Sequence, residues 1–541
     1  MQEKWKQAIV YQIYPRSFCD SDGDGVGDIP GIISKLDHLK DLGINTIWLS
    51  PVYASPNDDN GYDISDYKAI HPDFGTMEDF DRLLAETKKR GIDIIMDLVI
   101  NHTSDEHEWF RRALAGEEKY RNYYVIKKGK NGGVPNNWGN FFADCPWAPF
   151  GDPANDEWYL HLFSKKQPDL NWDNPEVYAE IKDILRFWLD KGVAGFRCDV
   201  INVIHKNTYA DGKKQLALTG IEHYKSTEGC HRILRDLRRE VLEPYGAWTV
   251  GETVMVSLKE AADLCAPERR ELDMVFAFEH MECDQIYVKW FKTKFRPVKL
   301  MRCLTKWQTG LGWNSVYFEN HDQPRSVSRF GDDGIYRVQS AKMLAGLLLS
   351  LRGTTYIYEG QEIGMTNGDF ASLAEIVDIE SHNVDGMAKR LGILNPWRWG
   401  LIRKTSRDNA RTPMQWSAAP GAGFTTGTPW LQINKNHTAI NVETDRADPN
   451  GIFAFYQRAI ALKKSSAVLQ QGSFIELYAK GRLYAFAREY EGKKLMAVCS
   501  FDKKSRPMPI NITGTVVLNN YAETASASAP LRPWEFRLIE V

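Results

Sequence analysis

Four short apolar runs in this chain end on groups that could do acid–base chemistry. They read Asp97-Leu-Val-Ile-Asn101-His102, Gly195-Phe-Arg197-Cys-Asp199-Val200, Thr249-Val-Gly-Glu252 and, after a further run, Glu319-Asn-His321-Asp322. One such acid is ordinarily a turn residue or a helix cap. Four together, with an Arg two residues before one acid and His beside others, exceed what capping needs. Convergent carboxylates are what glycoside cleavage uses: one attacks the anomeric carbon while a protonated partner donates to the leaving oxygen. An Arg beside the nucleophile is expected to keep it ionised, and a neighbouring acid to raise the pKa of the proton donor. A second constellation, Asp20-Ser-Asp22-Gly-Asp24-Gly-Val26-Gly-Asp28, places oxygens at alternate positions around Gly-permitted bends and suits a hard cation such as Ca²⁺. Gly31 stands where an EF-hand would need its bidentate Glu, and no helix precedes the loop, so an EF-hand is excluded.

The elements that would position these groups alternate between short strands and amphipathic helices, the pattern of βα units around a parallel sheet. Strands are expected over 8–13, 46–49, 92–99, 195–199, 248–252, 274–278, 314–319 and 354–358. Helices are expected over 32–42, 77–90, 336–351 and 452–463, and Val177, Ile181, Ile184 and Trp188 recur at helical spacing. The fold class read from this is α/β, a (β/α)8 barrel, in which catalytic groups sit at strand C-terminal ends. Residues 103–170, rich in aromatics, Asn, Pro and Gly, read as an inserted domain after the third strand, and 367–416 as a second excursion. Past 468 the period changes to alternation, as in Leu483-Tyr-Ala-Phe-Ala. The expected domains are a barrel over 1–102 and 171–467, the insertion over 103–170, and a C-terminal antiparallel β-sandwich over 468–541.

At 541 residues the chain exceeds one ordinary core, and its 26% charged residues and net charge of −3 leave no broad basic surface for nucleic acid. Its 17 Trp and 23 Tyr serve either as core or as platforms for sugar rings, and composition does not separate the two. The eight cysteines form no CxxC pair and read as reduced core residues. No stretch is apolar enough to span a bilayer, and the Met1-Gln-Glu-Lys-Trp-Lys start has no apolar signal region, so a cytoplasmic location without membrane partners is expected.

The chain resembles the α-amylase superfamily of glycoside hydrolases (family 13), and within it the oligo-1,6-glucosidase branch. The resemblance rests on Tyr11-Gln-Ile-Tyr-Pro15, Asp59-Asn-Gly-Tyr62-Asp63, Asp97 through His102, Gln167-Pro-Asp-Leu-Asn-Trp172, Gly195 through Val200 and Asn320-His-Asp-Gln-Pro-Arg325. Glu362-Ile-Gly-Met-Thr-Asn367 and Arg407 through Trp416 extend it along nearly the whole chain. It implies Asp199 as nucleophile, Glu252 as general acid/base and Asp322 as a third acid gripping the reacting glucose. It further implies that Arg197, His102 and His321 hold that ring, that Asp59, Tyr62 and Arg407 close the non-reducing end, and that Phe163 and Gln167 line the same pocket. Relatives in this branch bind a structural Ca²⁺ through Asp20, Asp22, Asp24, the Val26 carbonyl and Asp28. Val at position 200 accompanies a preference for α-1,6 bonds there. A small oligosaccharide is the implied substrate.

Four places depart from the family's wording: Cys198, the Thr355–Gln361 run, Phe141-Phe-Ala-Asp-Cys145, and Gly220 to Arg232. They bear on the leaving-group side and not on the acids. A non-catalytic amylase-fold scaffold is set aside because all three acids are kept. A sucrose isomerase is disfavoured because Phe278-Glu-His-Met-Glu282 stands where such enzymes carry Arg-Leu-Asp-Arg-Asp. A trehalose-6-phosphate hydrolase is the nearer rival, with lysines around Lys289 as a possible phosphate contact, and a sucrose- or maltose-preferring α-glucosidase is a further alternative.

Overall fold

The computed structural model describes residues 3–541 except 143, 216 and 287. Eight parallel strands form the central sheet: β1 (Ile9–Ile13), β2 (Thr46–Leu49), β3 (Asp93–Leu98), β4 (Gly195–Cys198), β5 (Trp248–Glu252), β6 (Met274–Phe276), β7 (Ser315–Val316) and β8 (Thr354–Tyr358). Their order is β6-β5-β4-β3-β2-β1-β8-β7, and every described pairing within it is parallel. The barrel is nearly closed. Side chains bridge its remaining seam: Ser315 Oγ donates to the Val275 carbonyl at 2.6 Å and Tyr317 Oη to that of Ala277 at 3.0 Å. The strands 274–278 and 314–319 expected from sequence are cut to three and two residues. Their last residues leave the ladder where the chain turns into the loops of the catalytic face.

Helices cover the barrel where the periodicity placed them. α1 (Met77–Lys89) opens on a Thr76–Asp79 capping box, and α2 (Pro175–Lys191) on Asn174 with Pro at its first turn. The apolar stripe of α2 (Val177, Ile181, Ile184, Trp188) is buried. The single helix expected over 32–42 is two, Ile29–Ser34 and Leu36–Leu42, since Asp28 already caps a start at Ile29, with Pro30 in the first turn, and the helix breaks at Lys35. α3 (Arg337–Ser350) is buried all round from Ser340 onward. It lies between α6 (Ile452–Ser465) and the C-terminal sheet, and a Cβ on Gly346 would sit 2.5 Å from the Phe536 ring, so glycine permits that contact. Two helices, α4 (Ile379–Arg390) and α5 (Asn395–Thr405), make up most of the second excursion.

The insertion carries a three-stranded sheet of residues 126–128, 147–149 and 157–160 and rejoins the barrel through a His102–Asp169 bridge. Beyond the barrel, β9 (Ser473–Lys480), β10 (Leu483–Tyr490), β11 (Lys493–Ser500), β12 (Thr515–Asn519) and β13 (Phe536–Glu540) form one antiparallel sheet in the order β9-β10-β11-β13-β12. The expected two-sheet sandwich is therefore corrected: among the described residues the outer face is covered by Ile512, Ala527 and Leu531 from irregular segments instead of a second sheet. All eight cysteines are free, and no helix of the described residues is long and apolar enough to cross a membrane.

Candidate active site

Parallel register brings the first group of acids together. Asp97 on β3 and Arg197 on β4 are register partners, and both point into the barrel because alternate strand residues share a face. Arg197 Nη1 donates to Asp97 Oδ1 and to Asp199 Oδ1, each at 2.5 Å, and Nη2 to Glu252 Oε2 at 2.5 Å. One buried guanidinium therefore serves three carboxylates. Burial pushes Asp97 up to about 6, against the pull of Arg197 and a hydrogen bond from Trp48 Nε1 at 2.7 Å. Burial also holds Asp199 well above the usual carboxylate range; Arg197 opposes this, but Glu252 and Asp97 add to it. Arg197 acts on Asp199 in the direction expected from sequence, but its charge is divided among three acids.

The second group has the opposite balance. Asp322 Oδ1 accepts from Arg411 Nη2 at 2.9 Å and lies 3.5 Å from Arg407 Nη1, while Oδ2 lies 3.2 Å from His321 Nε2. Burial alone would raise this acid, yet His321, Arg407 and Arg411 outweigh burial and hold it far below the usual range. Arg407 also bonds Asp378 Oδ1 at 2.8 Å and Asp59 Oδ1 at 3.1 Å, so it ties residues 59 and 378 into one wall. His321 is sandwiched between Tyr62 (5.4 Å, 3° between planes) and Tyr14 (5.8 Å, 16°). Gln12 Nε2 lies 2.8 Å from its Nδ1, which leaves the proton on Nε2, facing Asp322 and the Tyr62 hydroxyl. Burial lowers His321 to about 3 and His102 to about 4, so both rings are neutral at ordinary pH.

The remaining residues singled out from sequence gather around these two groups. Gln167 Nε2 contacts His102 Nε2 at 3.1 Å, the Tyr62 carbonyl at 3.3 Å and Asp59 Oδ2 at 3.4 Å. Phe163 stacks on Phe141 at 4.8 Å and leans on His102 at 5.2 Å. Val200 is buried against the second core cluster with Trp138, Trp147 and Tyr224, and its backbone sits at φ 37°, ψ 36°. A β-branched residue in the left-handed region is strained. That turn aims the Val200 N–H at Glu252 Oε2, 3.3 Å away.

Arg411, Asp378, Gln12 and Tyr14 were missed as site residues. Arg411 lay inside a quoted motif without a role, and Asp378 gives no local signal because it meets Arg407 only through the excursion. Cys198, by alternation, points away from the site toward the core. Lys289 pairs with Glu380 Oε2. In the segment 278–282, His280 is buried and bonded to the Tyr317 carbonyl at 2.8 Å. Within Phe141–Cys145, residue 143 lies outside the described residues.

In the loop after β1, one carboxylate oxygen each of Asp20, Asp22 and Asp28 lie within 4.8 Å of one another. Asp24 stays outside this group and accepts from the Val26 N–H at 2.7 Å. Asp20 also receives the N–H groups of Asp22, Gly23 and Gly25 and the Thr425 hydroxyl, which links the loop to the segment at 425–428. Three crowded carboxylates with no positive side chain within salt-bridge reach among the described residues, on an all-oxygen lining, fit a hard divalent cation.

Residues 12–472 match the family described as the α-amylase catalytic domain. The chain belongs to the α-amylase family. It is a glycoside hydrolase, similar over 99% of its length and 99% of theirs to the oligo-1,6-glucosidase of Parageobacillus thermoglucosidasius, at 47% identity. Among solved structures, this glycoside hydrolase resembles the trehalose-6-phosphate hydrolase of Bacillus licheniformis (TM-score 0.92, 42% identity, 99% of each chain). It also resembles the isomaltulose synthase of Erwinia rhapontici NX5 (TM-score 0.95, 39% identity, 99% of this chain and 98% of the other).

Proposed function

We propose that this glycoside hydrolase is a retaining, exo-acting α-glucosidase that removes terminal α-1,6-linked glucose from short oligosaccharides such as isomaltose. The observation that carries the reading is the pair Asp199 and Glu252 on adjacent nitrogens of one guanidinium, facing an Asp322 held ionised by two others. Such a tether holds the two carboxyls near each other, whereas an inverting enzyme needs roughly 6.5–9.5 Å between them for a water. In this reading Asp199, as the carboxylate, attacks the anomeric carbon and Glu252 donates a proton to the leaving oxygen. Water then enters, Glu252 takes its proton, and the α-anomer is released. Asp322, as a fixed anion, binds the hydroxyls of the reacting glucose, with His102, His321 and Arg197 around the ring. Proton NMR of the first product tests the chemistry: α-glucose is expected, and initial β-glucose would end the double-displacement reading.

The Asp59–Arg407 ion pair, anchored by Asp378, supports a pocket closed at the non-reducing end, with Tyr62, Phe163 and Gln167 along its wall. One glucose should therefore leave at a time, and rapid mid-chain cleavage of soluble starch would contradict the pocket. Val200, beside the nucleophile, is the residue proposed to favour the flexible α-1,6 linkage. Ca²⁺ is proposed as a structural ion, held by Asp20, Asp22 and Asp28 with the Val26 carbonyl and Asp24 adjoining.

A trehalose-6-phosphate hydrolase is the second reading, favoured by full-length likeness to enzymes of that name, including one from Bacillus subtilis at 41% identity. Against it, Lys289 already has Glu380 as its counter-ion. Comparing kcat/KM on isomaltose, isomaltulose, maltose, sucrose and trehalose 6-phosphate separates the readings.

A further inference from the structure

The helical hairpin α4–α5 has two unlike ends. At its root, Asp378 caps α4 and binds Arg407, and two residues beyond α5 the chain reaches Arg407 itself. Its inner side is packed, with Val384, Ile402 and Trp399 against Trp290. Its tip is not. Leu391, Leu394 and Trp397 are 72%, 68% and 73% exposed and follow one another through the turn between the helices, where the Leu394 carbonyl accepts the Trp397 N–H at 3.0 Å. Most exposed apolar side chains on a monomer are scattered singly, and a cluster of three large ones marks a contact surface.

The charge around this tip is one-sided. From 386 to 405 the sequence holds Lys389, Arg390, Arg398, Arg403 and Lys404 and no acid. Arg398 is engaged by Asp385 at 2.7 Å, whereas among the described residues the other four form no ion pair. The chain carries −3 in all and this segment +5, so the remaining 521 residues carry −8. A basic apolar knob, with four unpaired cations among the described residues, thus projects from a body of net negative charge.

We infer that the 389–404 tip is a self-association surface that docks on the acidic body of a second copy of this chain. The net negative charge of the body on a second copy attracts a cationic knob, and a two-fold arrangement uses the contact twice. Three side chains cannot supply the roughly 800 Å² per partner of a stable interface, so the unpaired cations of both helices must take part. Trp397, a large ring at the apex, is the expected anchor.

Sedimentation velocity of the full chain over a wide concentration range, at low and high salt, tests this. A reversible dimer is expected, weakening as salt rises, with its dissociation constant raised about tenfold or more in Trp397→Ser. Leu394→Ser and the charge reversal Arg403→Glu should weaken it independently. A monomer at all concentrations, or a dimer indifferent to all three substitutions, overturns the inference. Co-sedimentation of a monomeric chain with phosphatidylserine vesicles, lost in Trp397→Ser, would also overturn it by assigning the tip to a membrane surface.

Discussion

The two halves of the site use the same residue type to opposite ends. Around Arg197, one buried cation faces Asp97, Asp199 and Glu252, and burial outweighs it at Asp97 and Asp199, which are held above the usual carboxylate range. Around Asp322, two guanidiniums face the acid from one side and Asp59 and Asp378 balance them from the other, and the carboxylate stays charged. Both groups are buried, so desolvation does not distinguish them. The ratio of cations to carboxylates does.

Removing the proposed attacking group tests the first half most severely. Asp199→Asn should lower kcat by about four orders of magnitude or more while circular dichroism and chromatography report an intact fold. Appreciable residual turnover would place the nucleophile elsewhere.

Asp97 tests the protonated character of that half. Its folded pKa of about 6 lies above its ordinary value, so below pH 4 the proton is bound in both states. As pH rises toward 6 the unfolded chain releases it first, and stability is lost through that window. Asn cannot titrate, so the stability of Asp97→Asn relative to wild type should rise by about 3 kcal/mol between pH 4 and above 6. A pH-independent difference in denaturant titrations would break the contrast.

Arg411→Gln attacks the second half. Losing one guanidinium should raise the Asp322 pKa by about one to three units. Ionisation present at ordinary pH would then fail sooner as pH falls, and the acid limb of kcat/KM should move upward. An unmoved limb would mean that Arg407 suffices alone.

Smaller effects sharpen the edges. Val200→Thr should shift the isomaltose-to-maltose specificity ratio toward maltose by about one decade, in keeping with the worth of one methyl in a pocket. If the ratio stays put, Val200 serves only to aim its N–H at Glu252. Asp22→Ala should lower the melting temperature by a few degrees, about 1 kcal/mol, and abolish its response to chelator. An equal chelator response in the variant and wild type would remove the cation from that loop.

Much of this was legible along the chain, because a strand-end acid is announced by the apolar run before it. That holds for Asp97, Asp199 and Glu252, and the spacing of Asp20, Asp22 and Asp28 shows the loop in the same local way. The barrel strands at 46–49, 248–252 and 354–358 were read to the residue, since β-branched and aromatic runs bounded by turns need no partner to be seen. What sequence could not decide was who shares whose charge. Arg197 looks like a private partner of Asp199, two residues away, and only the parallel register of β3, β4 and β5 makes it common to three acids. Arg407 and Arg411 lie 85 and 89 residues from Asp322 and meet it, with Asp378 bound to Arg407, because the excursion folds back over the barrel. Residue types along the chain set the chemistry available; the protonation state of each acid is a sum over neighbours brought together from distant segments, and only tertiary structure supplies that sum.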